Sequence, residues 1–124
     1  MKDFRDLHVW VGAHELTLKM YSITAGFPRE ERFGLTAQLR RSSASIGANI
    51  AEGCGKRGNA EFQKYLQIAS GSASELDYHL ILARDLGFLK KEAYDAVFSD
   101  LVRVRRMLAA LIQKVESERQ LAKC

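Results

Sequence analysis

Proline is almost missing from this chain: Pro28 is the only one. Proline removes a backbone donor and clashes with the preceding turn, so its scarcity permits long helices nearly throughout. Cysteine is equally scarce. Cys54 and Cys124 are the only two, and they form no C-x-x-C pair. That excludes a disulfide framework and a cysteine-based zinc site. No signal-peptide pattern opens the chain, so both read as reduced thiols in a cytoplasm. No apolar run approaches the roughly 20 residues of a membrane span, which argues against a membrane partner. Internal repeats and low-complexity segments are also missing.

What is present is ordinary for a folded protein. Of 124 residues, 47% are hydrophobic and 27% charged, enough apolar content for a core without metal or disulfide staples. The length fits one domain, 1–124. The net charge is +4 and the isoelectric point about 9.2. This mild excess permits contact with nucleic acid or an acidic partner, but the charges are mixed in sign rather than gathered in a basic arm.

Hydrophobic periodicity predicts four helices, at about 7–25, 30–52, 60–86 and 90–117, with a frayed tail over 118–124. Short links between them predict an all-α, antiparallel, up-down-up-down four-helix bundle. Asp6 and Asn59 are the expected N-caps of the first and third helices. The first helix carries three apolar stripes: Trp10, Ala13, Thr17, Met20, Thr24; then Leu7, Val11, His14, Leu18, Tyr21; then Val9, Leu16, Ile23. A bundle core needs one stripe of about 100°, so either this helix is central in the fold or part of it is buried between subunits.

The second helix holds Leu35, Leu39, Ile46 and Ile50 on one face and a small-residue run, Ser42, Ser43, Ala44, Ser45, Gly47 and Ala48. The third carries the stripe Phe62, Leu66, Ala69, Ala73, Leu76, Leu80, Ala83 and its own small run, Ser70, Gly71, Ser72 and Ser74. Ser and Gly lower helix propensity. Two helices that both accept this are expected to cross closely there. The fourth stripe is Tyr94, Val97, Phe98, Leu101, Val104, Leu108, Leu111 and Val115.

Candidate chemistry fails on context. Gly53-Cys54-Gly55-Lys56-Arg57-Gly58 matches G-x-G-x-x-G letter for letter, but the dinucleotide motif needs a preceding strand. A helix precedes it here, so it reads as a basic helix-to-helix turn. Glu-x-x-His is missing, which removes the di-metal bundle site, and no metal or other cofactor is implied. His14 reads as a hydrogen-bonded core residue. The serines sit inside helices without a neighbouring histidine base. The residues point away from an enzyme.

Gln38, Arg41, Ser45, Asn49 and Glu52 line up along the second helix, facing Glu61, Ser72 and Glu75 on the third. Charges at a helix interface must be paired. Arg40 or Arg41 is therefore expected to pair with Glu75, leaving the other free, and Asn49 or Glu52 to cap or bridge neighbouring backbone.

From Phe4 to Leu89 the residues resemble a known family. The carriers are Leu7-His8-Val9-Trp10, Tyr21 with Phe27-Pro28, Phe33-Gly34-Leu35-Thr36, Gln38-Leu39-Arg40-Arg41, Ser45-Ile46 and Ala48-Asn49-Ile50-Ala51-Glu52-Gly53. Glu61-Phe62, Tyr65-Leu66, Ile68-Ala69, Gly71-Ser72 and Glu75-Leu76 follow. The chain resembles the four-helix-bundle proteins encoded in intervening sequences of bacterial 23S ribosomal RNA genes, also labelled S23 ribosomal proteins. Gly47 is a departure, where such proteins commonly carry proline. The resemblance implies a cytoplasmic bundle that assembles as a ring, commonly a homopentamer, with a link to RNA. Accessory proteins of diversity-generating retroelements look similar in architecture, and they imply a reverse transcriptase as an alternative protein partner.

Charge and resemblance together mark Arg40, Arg41, Lys56, Arg57, Arg103 and Arg106 as candidate phosphate contacts. The expected function is non-enzymatic nucleic-acid binding, with RNA favoured. The alternative is a protein–protein scaffold.

Overall fold

The computed structural model describes residues 3–123; Cys124 lies outside them. It is all-helical, with α1 at His8–Thr24, α2 at Leu35–Cys54, α3 at Gly58–Asp85 and α4 at Lys91–Lys123. Short 3-10 turns cover Phe4–Asp6 and Arg29–Glu31. Each helix packs on its neighbour in sequence and α1 closes against α4, while among the described residues the backbones of the diagonal pairs stay apart. That arrangement is the up-down-up-down bundle.

The helix ends differ from expectation in four places. Asp6 sits inside the first 3-10 turn, and Leu7, without a capping side chain, precedes α1. The second helix starts at Leu35 rather than near residue 30, because Gly34 leaves helical geometry at φ −107 and ψ −114. Glu31 then caps it from outside, its Oε1 accepting the Leu35 N–H at 3.0 Å. Asn59 is not the N-cap of α3. That helix opens at Gly58, whose φ of +79 lies in the left-handed region that favours glycine, and the Asn59 amide donates to Glu118 Oε2 at 3.1 Å. The expected frayed tail is helical to Lys123. Gln63 bonds both Glu116 and Arg119, and Val115 is fully buried, so α3 holds the end of α4 in place.

The core follows the stripes. All seven predicted positions of α3 and the four of α2 are buried. On α4, Phe98 stays exposed and Leu111 half-buried. Each buried Leu or Ile contributes about 1.5–3 kcal/mol of transfer free energy, which makes this cluster the main stabilising term. Of the three stripes on α1, parts of two enter the core: Val9, Ala13, Leu16 and Met20 are buried, whereas Val11, Leu18 and Tyr21 are exposed. His14 is exposed too, not a core residue; its ring stacks on Trp10 at 5.0 Å and 7°.

The small residues serve two seams rather than one. Toward α3, the Ser45 and Ser72 hydroxyls meet at 2.8 Å. Asn49 Nδ2 donates to the Ser45 carbonyl at 2.8 Å, the backbone bridge expected of it. Toward α1, Gly47 lies under Trp10, and α2 runs unbroken through it. Buried serines cost little because each hydroxyl is satisfied locally: Ser42 donates to Gln38 O at 2.7 Å and Ser43 to Arg40 O at 3.0 Å. In the small run of α3, Gly71 and Ser74 point outward.

At the upper end of the α2–α3 seam, His79 Nδ1 is buried without a hydrogen-bond partner among the described residues. Burial holds this imidazole below its ordinary range; Glu75 opposes that shift and Arg41 adds to it.

Two glycines separate the packing effects. A Cβ on Gly47 would meet Trp10 Nε1 at 3.4 Å, an ordinary contact, whereas on Gly53 it would meet Tyr65 Cβ at 2.9 Å and Phe62 Cδ1 at 3.0 Å. Gly47→Ala is expected to stabilise by up to about 1 kcal/mol through helix propensity. Gly53→Ala should destabilise, because overpacking of about 1–3 kcal/mol exceeds that gain; urea denaturation of both variants measures the signs. For His79, the folded protein binds the proton less readily than the unfolded chain does. Its contribution to stability is therefore complete above the unfolded value and is lost as the pH falls through about 6.5 toward the folded one. Thermal melts at about pH 7.5 and about pH 5.5 should show a smaller drop for His79→Gln than for the parent chain.

Candidate nucleic-acid interface

The six candidate cations fall in three places. Arg40 and Arg41 stand on the first half of α2. Lys56 and Arg57 form the turn after it, about 20 Å away along the helix axis at 1.5 Å per residue. Arg103 and Arg106 lie on α4, Arg103 beside Gly12 and Leu16 of α1 and Arg106 beside Asp77 of α3.

Arg40 and Arg41 both work inside the molecule, so neither is left free. Arg40 Nε donates to Thr24 Oγ1 at 2.8 Å, and its guanidinium stands 4.5 Å from the Tyr21 ring centroid. It pins the end of α1 to α2. Arg41 forms the ion pair with Glu75 and also donates to Gln38 Oε1 at 2.6 Å. Neighbours in sequence are about 100° apart around a helix, so one turns toward α1 and the other toward α3. The fourth helix is similar. Arg105, which was not among the candidates, pairs with Asp77 at 3.2 Å and donates to Ser74 Oγ at 2.9 Å. Its neighbours Arg103 and Arg106 are exposed and make no ion pair among the described residues.

The turn at Lys56 and Arg57 combines charge with concavity. Gly53, Cys54, Lys56, Arg57, Gly58, Asn59 and Phe62 enclose a cavity of about 420 Å³. Phe62 and Cys54 are buried, while Lys56 and Arg57 are exposed at its rim. Lys56 stands 4.0 Å from Glu52 and 5.4 Å from the Tyr65 ring. Arg57 makes no ion pair among the described residues. The turn leads into the N-terminus of the 28-residue α3, the positive end of that helix dipole. The geometry suits a phosphate approaching from solvent. It does not suit a dinucleotide, since α2 rather than a strand leads into the glycines.

Sequence reasoning missed one feature in the α1–α2 connection, where Arg32 stands over an exposed Phe33 ring. An Arg-Phe dipeptide beside a turn was the available signal, but residues 30–33 were assigned to a helix. Among the described residues no group of three or more His, Cys, Asp or Glu is placed to hold a metal ion. None of the described helices is long and apolar enough to cross a membrane.

The family model of the 23S rRNA-intervening sequence protein matches residues 5–110. A crystal structure of a protein with unknown function from the S23 ribosomal protein family of Bacteroides thetaiotaomicron VPI-5482 superposes with a TM-score of 0.78. The two are 26% identical over 85% of this chain and 95% of that one. No curated protein matches. With the family pattern spanning all of α1, α2 and α3 and most of α4, this chain belongs to the 23S rRNA-intervening sequence protein family.

Proposed function

We propose that this protein is a non-enzymatic, self-associating nucleic-acid-binding bundle of the cytoplasm, with RNA as the favoured ligand. The observation that carries the reading is the basic turn: Lys56 and Arg57 at the rim of a cavity, at the positive end of α3. Arg103 and Arg106 would add phosphate contacts elsewhere on the surface. The family name links these proteins to a ribosomal RNA gene, which favours RNA over DNA. A non-enzymatic role is supported by the serines. The Ser42 and Ser43 hydroxyls donate to carbonyls of their own helix, and that helix carries no histidine.

The unpaired cations of one chain are scattered rather than gathered in one patch, so affinity would come from several copies. Linked copies of a weak site bind with avidity. Support for self-association is the strip on α1, where Val11 is 40% and Leu18 57% exposed beside a shallow groove lined by Trp10, His14, Ala44 and Ala48. A ring of copies, five by the family resemblance, would cover it. The same strip favours the second reading, a scaffold that docks another protein such as a reverse transcriptase.

A gel-shift titration against RNA across a salt series tests the first reading. Phosphate contacts predict that log K falls with log salt at a slope of about −0.7 per contact on single strands. Lys56→Glu with Arg57→Glu should weaken binding to all sequences alike, and absence of binding at about 50 mM salt would sink the proposal. Sedimentation tests assembly: Val11→Glu with Leu18→Glu should yield monomers, and a parent chain that is already monomeric at micromolar concentration would contradict it.

A further inference from the structure

The cavity at the α2–α3 turn differs from the other concave places on the molecule. Its lining holds two cations, Lys56 and Arg57, and no carboxylate. The hollows at Glu15 and Asp100, at Asp77 and at Glu116 each include an acid, and the groove at Trp10 has no cation. Two acids stand next to the lining without joining it. Glu52 is 4.0 Å from Lys56, and Glu118 receives the Asn59 amide.

Below the cations the walls are apolar or bare. Phe62 and Cys54 are buried, and Gly53 and Gly58 contribute backbone without side chains. Gly53 is packed tightly against Tyr65 and Phe62, whereas a Cβ on Gly58 would meet nothing within 4 Å, so the hollow opens to solvent on the Gly58 side. Arg57 gives α3 no side-chain cap, which leaves the first N–H groups of that helix available to an anion.

Size and lining together select the occupant. The volume of about 420 Å³ lies near the lower end of the roughly 300–1,000 Å³ range of small-molecule sites. A phosphate alone has no apolar body and leaves the floor unused. A duplex carries its phosphates outside and its bases paired within, so it reaches the rim only. An unpaired nucleotide offers both parts: a flat base of the kind held against aromatic side chains, and a phosphate beside it for the cations.

We propose that this cavity takes one unpaired nucleotide, with the base inside against Phe62 and the phosphate on Lys56 and Arg57. This deepens, and rests on, the nucleic-acid reading above. It narrows the ligand of the basic turn from a phosphate backbone in general to a single nucleotide unit, free or within a strand.

The test compares the full chain with Cys54→Leu, which fills the hollow and keeps both cations, and with the pair Lys56→Gln and Arg57→Gln. The probes are a fluorescein-labelled single-stranded oligoribonucleotide and the same strand annealed to its complement. Cys54→Leu should lose roughly tenfold in single-strand affinity, with duplex affinity and salt slope unchanged. The Lys56 and Arg57 pair should flatten the salt slope by about 0.7 per lost contact. A second measurement does not depend on how Cys54→Leu folds: in a Cys124→Ser chain, saturating single strand should slow alkylation of the Cys54 thiol by iodoacetamide. Adenosine 5′-monophosphate, with inorganic phosphate as control, separates the two sources. Displacement of the strand by the nucleotide alone makes the free nucleotide an occupant as well, and displacement by neither confines the site to a nucleotide within a strand. Equal displacement by both means that only the rim is read, which overturns the proposal. So does a folded Cys54→Leu chain that binds the strand as the parent does, an alkylation rate that the strand leaves unchanged, or a parent that binds duplex as tightly as single strand; in each case the basic-turn reading survives. If the parent binds neither probe, both fall.

Discussion

The close approach of α2 and α3 is the constraint on which the rest of the structure depends. Side chains at the crossing are reduced to hydroxyls and hydrogens, with Ser45 on Ser72 and Gly53 under Phe62 and Tyr65. These two helices share the most extensive interface in the bundle. The cost is a second helix rich in poor helix formers. Ser42, Ser43 and Asn49 offset part of it by bonding carbonyls of their own helix. Once α2 and α3 are fixed at this distance, Arg41 meets Glu75 across the seam and the turn at Lys56 and Arg57 is held over the cavity that Phe62 floors.

Electrostatics divides the cations by position. Arg40, Arg41 and Arg105 each find a partner on another helix, and these contacts register α1, α2, α3 and α4 against one another. Exposed pairs of this kind are worth little individually, so their role is to set geometry rather than to supply stability. Among the described residues, Arg29, Arg32, Arg57 and Lys90 near the turns, Lys64 on α3, and Arg103, Arg106 and Lys114 on α4 are exposed and make no ion pair. A modest net charge therefore leaves a sparse set of sites. Under the function proposed above, affinity for a polyanion would come from repetition of the chain, which would tie assembly to binding.

Much of the fold was legible because helical periodicity is a local property. The stripes of α2 and α3 are buried position for position, since one apolar face in each left no choice. The first helix was ambiguous because it is apolar around most of its circumference, and periodicity cannot rank three stripes. His14 was misread for that reason: it shares a stripe with Leu7 and Leu18, but the core lies on the Val9, Ala13 and Leu16 side. Helix ends were less legible. The tail of α4 has little apolar content, and the bonds from Gln63 and Asn59 on α3, with the burial of Val115, show why it stays helical.

What the sequence determined by itself is the helical class, the four segments, the core stripes and the family, because each is written in the order of residue types along the chain. Tertiary structure decided the rest. Which arginine pairs with Glu75, which apolar residues stay outside, and that Arg105 rather than its neighbours bonds α3 all depend on rotation of helices about their axes. That rotation is set by packing between segments far apart in sequence. The exposure of Phe33 belongs to the same group, since a 3-10 turn and a capping carboxylate, not a periodic pattern, hold the ring in solvent.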